Sequence, residues 1–364
     1  MRKLASIVTI STSEPIPETE KLDVTMMSGK GWRVVTGRGE FKPGDTAVYF
    51  EIDSALPTDD ERYAFLHERC LKRWRDKRNN VLGECVRIRT IKLRGVISQG
   101  LIMPISKFPE LEGKEEGTDV TADLRVQHYD ELADAIAEQM AKAYNPNGKG
   151  RREGNFPSWI PKTDEERIQN LADYPTKFTN MEWEVTEKKD GSSMTVFWAP
   201  EMRPDKPFGV CSRNFELQED DTNAWWEVTK KLDLENKTRR MSEYLNKELA
   251  IQGELIGPGM NGNRDNLPDR EFRVFRIWNI TDQCYIPSSQ RVELCRMFEI
   301  PHVPVLAPAM KVFVAYPTVD DVLKFAEGLT ENGREREGLV FKEANSEHPI
   351  SFKAVSNRYL LAQK

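Results

Sequence analysis

Apolar and polar residues alternate in short runs through the first third of the chain. Trp32-Arg33-Val34-Val35, Thr46-Ala47-Val48-Tyr49-Phe50 and Gly83-Glu84-Cys85-Val86-Arg87-Ile88-Arg89 each read as strands. Between the first two lies Gly39-Glu40-Phe41-Lys42-Pro43-Gly44-Asp45, a strong turn signal. Short strands at this spacing predict a small barrel of the OB type over residues 1–128. The period then lengthens: Leu132, Ile136, Met140 and Ala143 fall on one face of a helix over Asp130 to Tyr144. The glycine- and asparagine-rich stretch 145–155 reads as a linker, so 129–155 is taken as helix plus linker and 156–364 as a second domain.

The second domain opens on Thr163 with Glu166 three residues on, a capping box that predicts a helix. Met181 to Thr186 reads as a strand, and Thr195 to Trp198 with Phe208 to Cys211 as a strand pair. Trp225-Trp226 and Arg239 to Leu245 read as helical, and Thr318 to Asp321 is a second capping box. The mixture is α+β, without a regular βαβ repeat.

Composition narrows the class. Charged residues make up 31% and the hydrophobic set 38%, and no apolar run approaches the roughly 20 residues of a membrane span. The N-terminus runs at once into a strand-like pattern, so no signal peptide is expected. Five scattered cysteines without a Cys-x-x-Cys pair point to a reducing, cytoplasmic setting and away from structural zinc, and four distant histidines give no metal cluster. A net charge of -6 does not suggest nucleic acid, so any such binding must come from local patches. One is present: nine basic residues against two acidic ones between Lys72 and Arg94. Arg87 and Arg89 alternate with Val86 and Ile88 and share a strand face, and Lys92 and Arg94 follow; this set is the expected RNA contact. Lys149, Arg151 and Arg152 form a smaller basic cluster in the linker.

The strand from Met181 ends in Glu187-Lys188-Lys189-Asp190-Gly191-Ser192-Ser193, which presents a reactive lysine at a strand tip. An amine pKa of about 10.4 leaves roughly one lysine in a few thousand neutral at pH 7. Lowering it by about 3 corresponds to roughly 4 kcal/mol of environment, which neighbouring cations or desolvation can supply. Arg213, Lys342 and Lys353 stand downstream in glycine- or serine-marked motifs.

Taken together, Lys188-Lys189-Asp190-Gly191, Ser212-Arg213-Asn214, Gly253-Glu254-Leu255-Ile256-Gly257, Phe272 to Ile277, Glu337-Gly338-Leu339-Val340-Phe341-Lys342 and Ser351-Phe352-Lys353 resemble the covalent nucleotidyltransferases. The resemblance is nearest to ATP-dependent RNA ligases of the RNA ligase 2-like branch, including a branch that carries an N-terminal OB domain. It implies an adenylyltransferase domain built on antiparallel sheets, of the ATP-grasp-like ligase kind, with ATP and Mg2+ or Mn2+ as cofactors. The partner it implies is RNA with 3′-hydroxyl and 5′-phosphate ends, sealed by a monomer, with RNA repair the expected setting.

On the same resemblance Lys188 is the nucleophile that becomes adenylylated, and Glu187, Arg213, Glu254, Phe275, Lys342 and Lys353 bind the nucleotide. Phe275 would stack on the base, Glu337 and Glu254 hold the metal, and Lys342 and Lys353 meet the α-phosphate and depress the pKa of Lys188. Lys189 is expected to be exposed or RNA-facing, and Gln169 is a secondary nucleotide candidate. The last motif is Lys-x-Lys in many relatives, but its first position here is Ser351, so either Lys342 supplies that cation or the site carries one charge fewer. With 11 residues after Lys353, no C-terminal OB domain is expected. A DNA-nick ligase, a GTP-dependent guanylyltransferase, and an OB-fold RNA- or tRNA-binding protein with an inactive transferase half are the alternatives.

Overall fold

The structure is a computed structural model that describes residues 3–17, 19–144 and 152–362. Lys149 and Arg151 of the linker cluster lie outside the described residues, as do the side chains of Met140 and Ala143. Chain contacts divide it into two units, Met1–Gly148 with Gln169–Ala172 and Leu360–Lys364, and Lys149–Ile168 with Asp173–Tyr359.

The first unit is the OB-type barrel. Its strands are β1 (Ala5–Pro15), β2 (Leu22–Met27), β3 (Arg33–Gly37), β4 (Thr46–Phe50), β5 (Ser54–Leu56), β6 (Leu71–Arg75), β7 (Val81–Arg87), β8 (Thr90–Leu93), β9 (Val96–Gln99), β10 (Leu101–Pro104) and β11 (Gln127–His128). One sheet runs β10-β4-β1-β2-β3, a second β11-β5-β7-β6, and β8 pairs with β9 as a hairpin. The long β1 pairs with β4 through Ala5 to Thr9 and with β2 through Ile10 to Pro15, and its register shifts between Ile10 and Thr12. That irregularity lets one strand bend around a barrel corner and serve two neighbours. Ile7, Val48, Phe50, Tyr63, Val86, Ile88 and Phe108 fill the interior; each such side chain contributes about 1.5–3 kcal/mol. The expected helix forms over Tyr129–Tyr144, with Ile136 buried and Leu132 half-buried.

The second unit holds β12 (Arg152–Asn155), β13 (Glu166–Arg167), β14 (Trp183–Lys188), β15 (Ser192–Trp198), β16 (Phe208–Cys211), β17 (Phe215–Leu217), β18 (Leu249–Ile256), β19 (Glu271–Asn279), β20 (Cys284–Tyr285), β21 (Val305–Met310), β22 (Gly338–Glu343) and β23 (Ser351–Val355). They make two sheets, β12-β17-β16-β15-β18-β19-β20 and β13-β23-β22-β14-β21. Among the described residues every pairing is antiparallel except that of β13 with β23. Each sheet buries one face in its own core. Met194, Val196, Ile251, Leu255, Phe272, Val274 and Ile277 of the larger sheet pack on Trp226, Met241 and Leu294 from helices Ala224–Lys231, Leu234–Leu245 and Ser288–Met297. Behind the smaller sheet Trp183, Phe313, Phe341 and Phe352 form an aromatic block, with the Phe341 and Phe352 rings stacked at 4.5 Å. On the larger sheet's other face Phe197, Ala250 and Trp278 pack with Ile160 as a second apolar cluster, and polar chemistry is carried by the rest of that face and by the other face of the smaller sheet.

The capping box expected at Thr163 does not start a helix. Glu166–Arg167 is instead a strand parallel to Phe352 and Lys353, followed by a single 3-10 turn over Ile168–Asn170. Pairing with β23 supplies these backbone groups with partners that a helix would have supplied internally. The second capping box is present: Thr318 accepts from the Asp321 amide, and the Asp321 carboxylate accepts from the Thr318 amide.

Candidate active site

Strand alternation decides which side chains meet. On β14, Trp183 and Val185 enter the aromatic core, so Glu184, Thr186 and Lys188 take the opposite face. On β22 and β23 the same face carries Val340 and Lys342, and Ser351 and Lys353, while Leu339, Phe341, Phe352 and Ala354 are fully buried behind it. Register then sets the layout: Lys188 lies opposite Gly338, Val340 opposite Lys353, and Lys342 opposite both Glu184 and Ser351. On the larger sheet Ser193, Gln252 and Glu254 share the face that is not in the core, with Ser193 opposite Glu254. A register shift on β18 between Gln252 and Gly253 opposes Gln252 to Arg276 and Gly253 to Val274. Phe275 is the extra residue, half-buried, and the bulge leaves it off the core face that Val274 occupies.

Lys188 Nζ is 2.8 Å from Glu337 Oε1. Burial alone would lower the lysine's pKa, but Glu337, Glu254 and Asp190 outweigh it and hold the amine charged, well above its ordinary value. This corrects the expectation that cations keep Lys188 neutral: in the protein by itself its neighbours are carboxylates. Burial raises Glu254 to about 8, with Glu337 and Asp190 adding to the rise against the pull of Lys188. Burial raises Glu337 as well, with Asp190 adding to the rise against the pull of Lys188 and Lys353. Glu337 Oε2 is buried without a hydrogen-bond partner, so it has lone pairs to offer a cation. Two carboxylates facing a shared space, one with an orphaned oxygen, fit a hydrated divalent ion.

Asp190 is held by the loop after β18. Asn261 Nδ2 donates to Asp190 Oδ1 and to the Gly191 carbonyl, and Arg264 Nε donates to Asp190 Oδ2. Gly191 must be glycine, since a Cβ there would stand 2.3 Å from the Leu255 carbonyl oxygen. Lys189 does point away from Lys188, yet it is buried rather than exposed or RNA-facing: its Nζ donates to Glu187 at 2.6 Å and Asp265 at 3.1 Å. Glu187 therefore directs its carboxylate to the face opposite Lys188, and its backbone N–H donates to the Pro304 carbonyl at 2.9 Å, so its side chain does not face the space beside Lys188. Asp265, Asn261 and Arg264 were missed from the sequence because nothing in their spacing marks a loop that folds back on the lysine turn.

Arg213 is part-exposed, with Nη2 3.9 Å from Asp164 Oδ2; Lys353 Nζ donates to Asp164 Oδ1 at 2.7 Å. Lys342 is not beside Lys188. It lies four residues along β22 from Gly338, donates to the Phe275 carbonyl at 2.9 Å, and is pulled to about 7 by burial and by Arg291. Arg291 in turn donates to Glu184 Oε1, and Glu184 Oε2 is 3.9 Å from Lys342. Gln169 belongs to the first unit's short segment Gln169–Ala172, with its side-chain amide buried.

In the barrel, Arg87 is packed over the Tyr129 ring at 3.9 Å and lies 3.9 Å from Asp53, and Arg89 follows the end of β7 half-buried. Lys92 and Arg94 are exposed on the β8–β9 hairpin. Arg152 covers the Phe215 ring at 3.2 Å.

Comparison with known proteins agrees with this architecture. An OB-fold domain matches residues 4–105 and an RNA ligase family model matches residues 181–355. Among solved structures, a lysine-to-methionine mutant of the Naegleria gruberi RNA ligase with AMP and Mn is 35% identical, with 100% of this chain and 99% of that chain covered and a TM-score of 0.82. A glutamate-to-alanine mutant of the same ligase with ATP and Mn gives the same values. The ligase with PPi is 35% identical over 99% and 98% of the two chains, with a TM-score of 0.81. A search among curated proteins returned no match. No described helix is long and apolar enough to cross a membrane. The chain belongs to the RNA ligase family, with an OB-fold domain at its N-terminal end.

Proposed function

We propose that this chain joins RNA 3′-hydroxyl and 5′-phosphate ends with ATP, through a lysyl-AMP on Lys188 and then an adenylylated RNA end. The observation that carries the reading is the contact of Lys188 with Glu337, faced by Glu254 from the other sheet. A nucleophilic amine, two carboxylates of raised pKa and the Lys353 cation on the next strand but one match the needs of attack at a phosphorus.

Lys188 must shed a proton before it can attack, and Glu337 is the group in contact with that ammonium. A magnesium or manganese ion taken by Glu337 and Glu254 would withdraw their stabilisation of the charged amine and neutralise phosphate oxygens. Lys353 and Arg213, which share Asp164 in the protein by itself, are the cations we assign to the phosphates, Arg213 with a fork that suits two oxygens. Phe275 offers its ring to the base from the bulge, and the Lys342 bond to its carbonyl fixes that bulge. Asn261 and Arg264 keep the Asp190 turn, and with it Lys188, in place. The exposed Lys92 and Arg94 hairpin gives RNA a cationic edge to follow. The free cysteines suit a reducing cytoplasm, and a monomer engaged in RNA repair is the setting we assign.

The test is incubation with a divalent ion and ATP or GTP labelled at the α-phosphate, followed by denaturing electrophoresis of wild type and Lys188→Ala. Label from ATP on wild type and none on Lys188→Ala is expected. Label from GTP would move the chain to the capping class, and absence of label from either would refute the reading.

A further inference from the structure

Arg213 and Lys353 meet the same carboxylate in the protein by itself. Asp164 Oδ1 accepts from Lys353 Nζ at 2.7 Å, and Asp164 Oδ2 lies 3.9 Å from Arg213 Nη2. One oxygen is thus given to each cation, the same division that two oxygens of a single phosphate would make between them.

The segment that carries Asp164 is fastened on both sides of it. Gln252 Nε2 donates to the Pro161 carbonyl at 2.8 Å, Lys162 Nζ donates to Asn214 Oδ1 at 2.8 Å, and Glu165 Oε1 accepts from Arg276 Nη2 at 3.1 Å. Beyond Glu165 the backbone pairs with β23, Glu166 opposite Phe352 and Arg167 opposite Lys353. These anchors belong to other residues, so the Asp164 side chain is able to turn away while its backbone stays beside Lys353.

Exposure says which partner yields. The Asp164 side chain is 41% exposed and that of Lys353 is 11% exposed. Releasing Asp164 returns a part-exposed carboxylate to water at little cost, as for other ion pairs near a surface. Lys353 is nearly buried, where an opposite charge is worth more than at the surface, so a phosphate chain carrying more charge than a carboxylate replaces Asp164 there favourably.

We propose that Asp164 occupies the phosphate subsite of the free protein and competes with nucleotide for Lys353 and Arg213, so that it sets the affinity for ATP without entering the chemistry. The proposal rests on the ATP-dependent reading above, which assigns those two cations to the phosphates. It differs in sign from a scaffolding role. A competitor, once its charge is removed, lets ATP bind more tightly at an unchanged maximal rate; a prop that holds Lys353 in place, once removed, weakens binding and slows the reaction.

The experiment measures single-turnover lysyl-AMP formation against ATP concentration, at saturating magnesium, for wild type, Asp164→Asn and Asp164→Glu. Asp164→Asn should lower the ATP concentration for half-maximal rate by about fivefold, the upper range for a part-exposed ion pair, and leave the maximal rate within about twofold. Asp164→Glu, which restores the charge, should return the value toward wild type. In the asparagine variant salt takes over the screening of the two cations, so its advantage should shrink between about 0.05 and about 0.5 M NaCl. Direct ATP binding by Lys188→Ala and by Lys188→Ala/Asp164→Asn supplies the comparison without turnover, and about fivefold tighter binding by the double variant is expected. Weaker ATP binding by Asp164→Asn, or a maximal rate lower by about tenfold or more, overturns the proposal by making Asp164 a scaffold. Unchanged affinity overturns it by making the contact idle. A wild type that takes no label from ATP, with no ATP bound by Lys188→Ala, would sink the ATP reading itself, an outcome that does not involve the Asp164 variants.

Discussion

Glu254→Gln should make the metal-free protein more stable at alkaline pH while slowing its adenylylation. Burial raises the Glu254 carboxyl to about 8 from an ordinary 4.5, so the folded state holds a proton between those values that the unfolded chain has released. Stability associated with this group is therefore fully present below pH 4.5 and lost as pH rises through about 8. At 1.36 kcal/mol for each pKa unit the gap sets a ceiling of about 5 kcal/mol. Solvent at the open side of the site reduces it, and about 2 kcal/mol is the expected yield. Glutamine is nearly isosteric and never ionises, so it removes the penalty without opening a cavity. With a urea dependence of about 2 kcal/mol per molar, the midpoint of Glu254→Gln should exceed wild type by about 1 M at pH 8.5 in EDTA and match it near pH 5. Adenylylation should fall by on the order of 100-fold in the same variant. Saturating magnesium should then narrow the stability gap at pH 8.5, since a ligand at 100 times its Kd stabilises the binding-competent protein by about 2.7 kcal/mol. A midpoint difference that does not change with pH, or a Glu254→Gln protein less stable than wild type at pH 8.5, would refute the reasoning.

Lys189→Met should cost about 3 kcal/mol in urea unfolding, because Glu187 and Asp265 would be left buried without their shared cation. Arg291→Met should cost a similar amount by stranding Glu184, and the double variant Glu184→Gln/Arg291→Met should recover most of it; additive single costs would show that the pair does not interact. Lys92→Ala/Arg94→Ala should weaken binding to single-stranded RNA and reduce the slope of log affinity against log salt by about 1.4, two phosphate contacts at roughly 0.7 each. An unchanged slope in a filter-binding titration would remove the hairpin from the RNA path.

The barrel was legible because its strands alternate and its turns carry glycine and proline, signals that need no distant partner. The place of the proposed nucleophile was legible because Lys188 ends an apolar strand at a turn whose glycine is demanded by the Leu255 carbonyl. Sign and neighbourhood were not. The three cations expected around Lys188 turn out to be three carboxylates, since the register of β14 against β22 sets Lys188 opposite Gly338, adjacent to Glu337, and puts Lys342 four residues away. Thr163 to Glu166 satisfied the local rule for a helix start but lost to a strand pairing with residues almost 190 positions away, of the kind reported by the Asp164–Lys353 contact. Lys189 was placed on the correct side by alternation, but its burial depended on Asp265, contributed by a loop whose course no periodicity describes.

The Lys188–Glu337 pair also has a consequence for how the enzyme waits. A free lysine amine at an open cleft would react with aldehydes, carbamoyl donors and activated acyl groups. Here the amine is held as an ammonium, whose lone pair is occupied by a proton, and it becomes a reagent only when something competes for its carboxylates. The resting protein is thus chemically masked at its most reactive atom, and amine-directed labelling should find Lys188 among its slowest lysines until nucleotide and divalent ion arrive together.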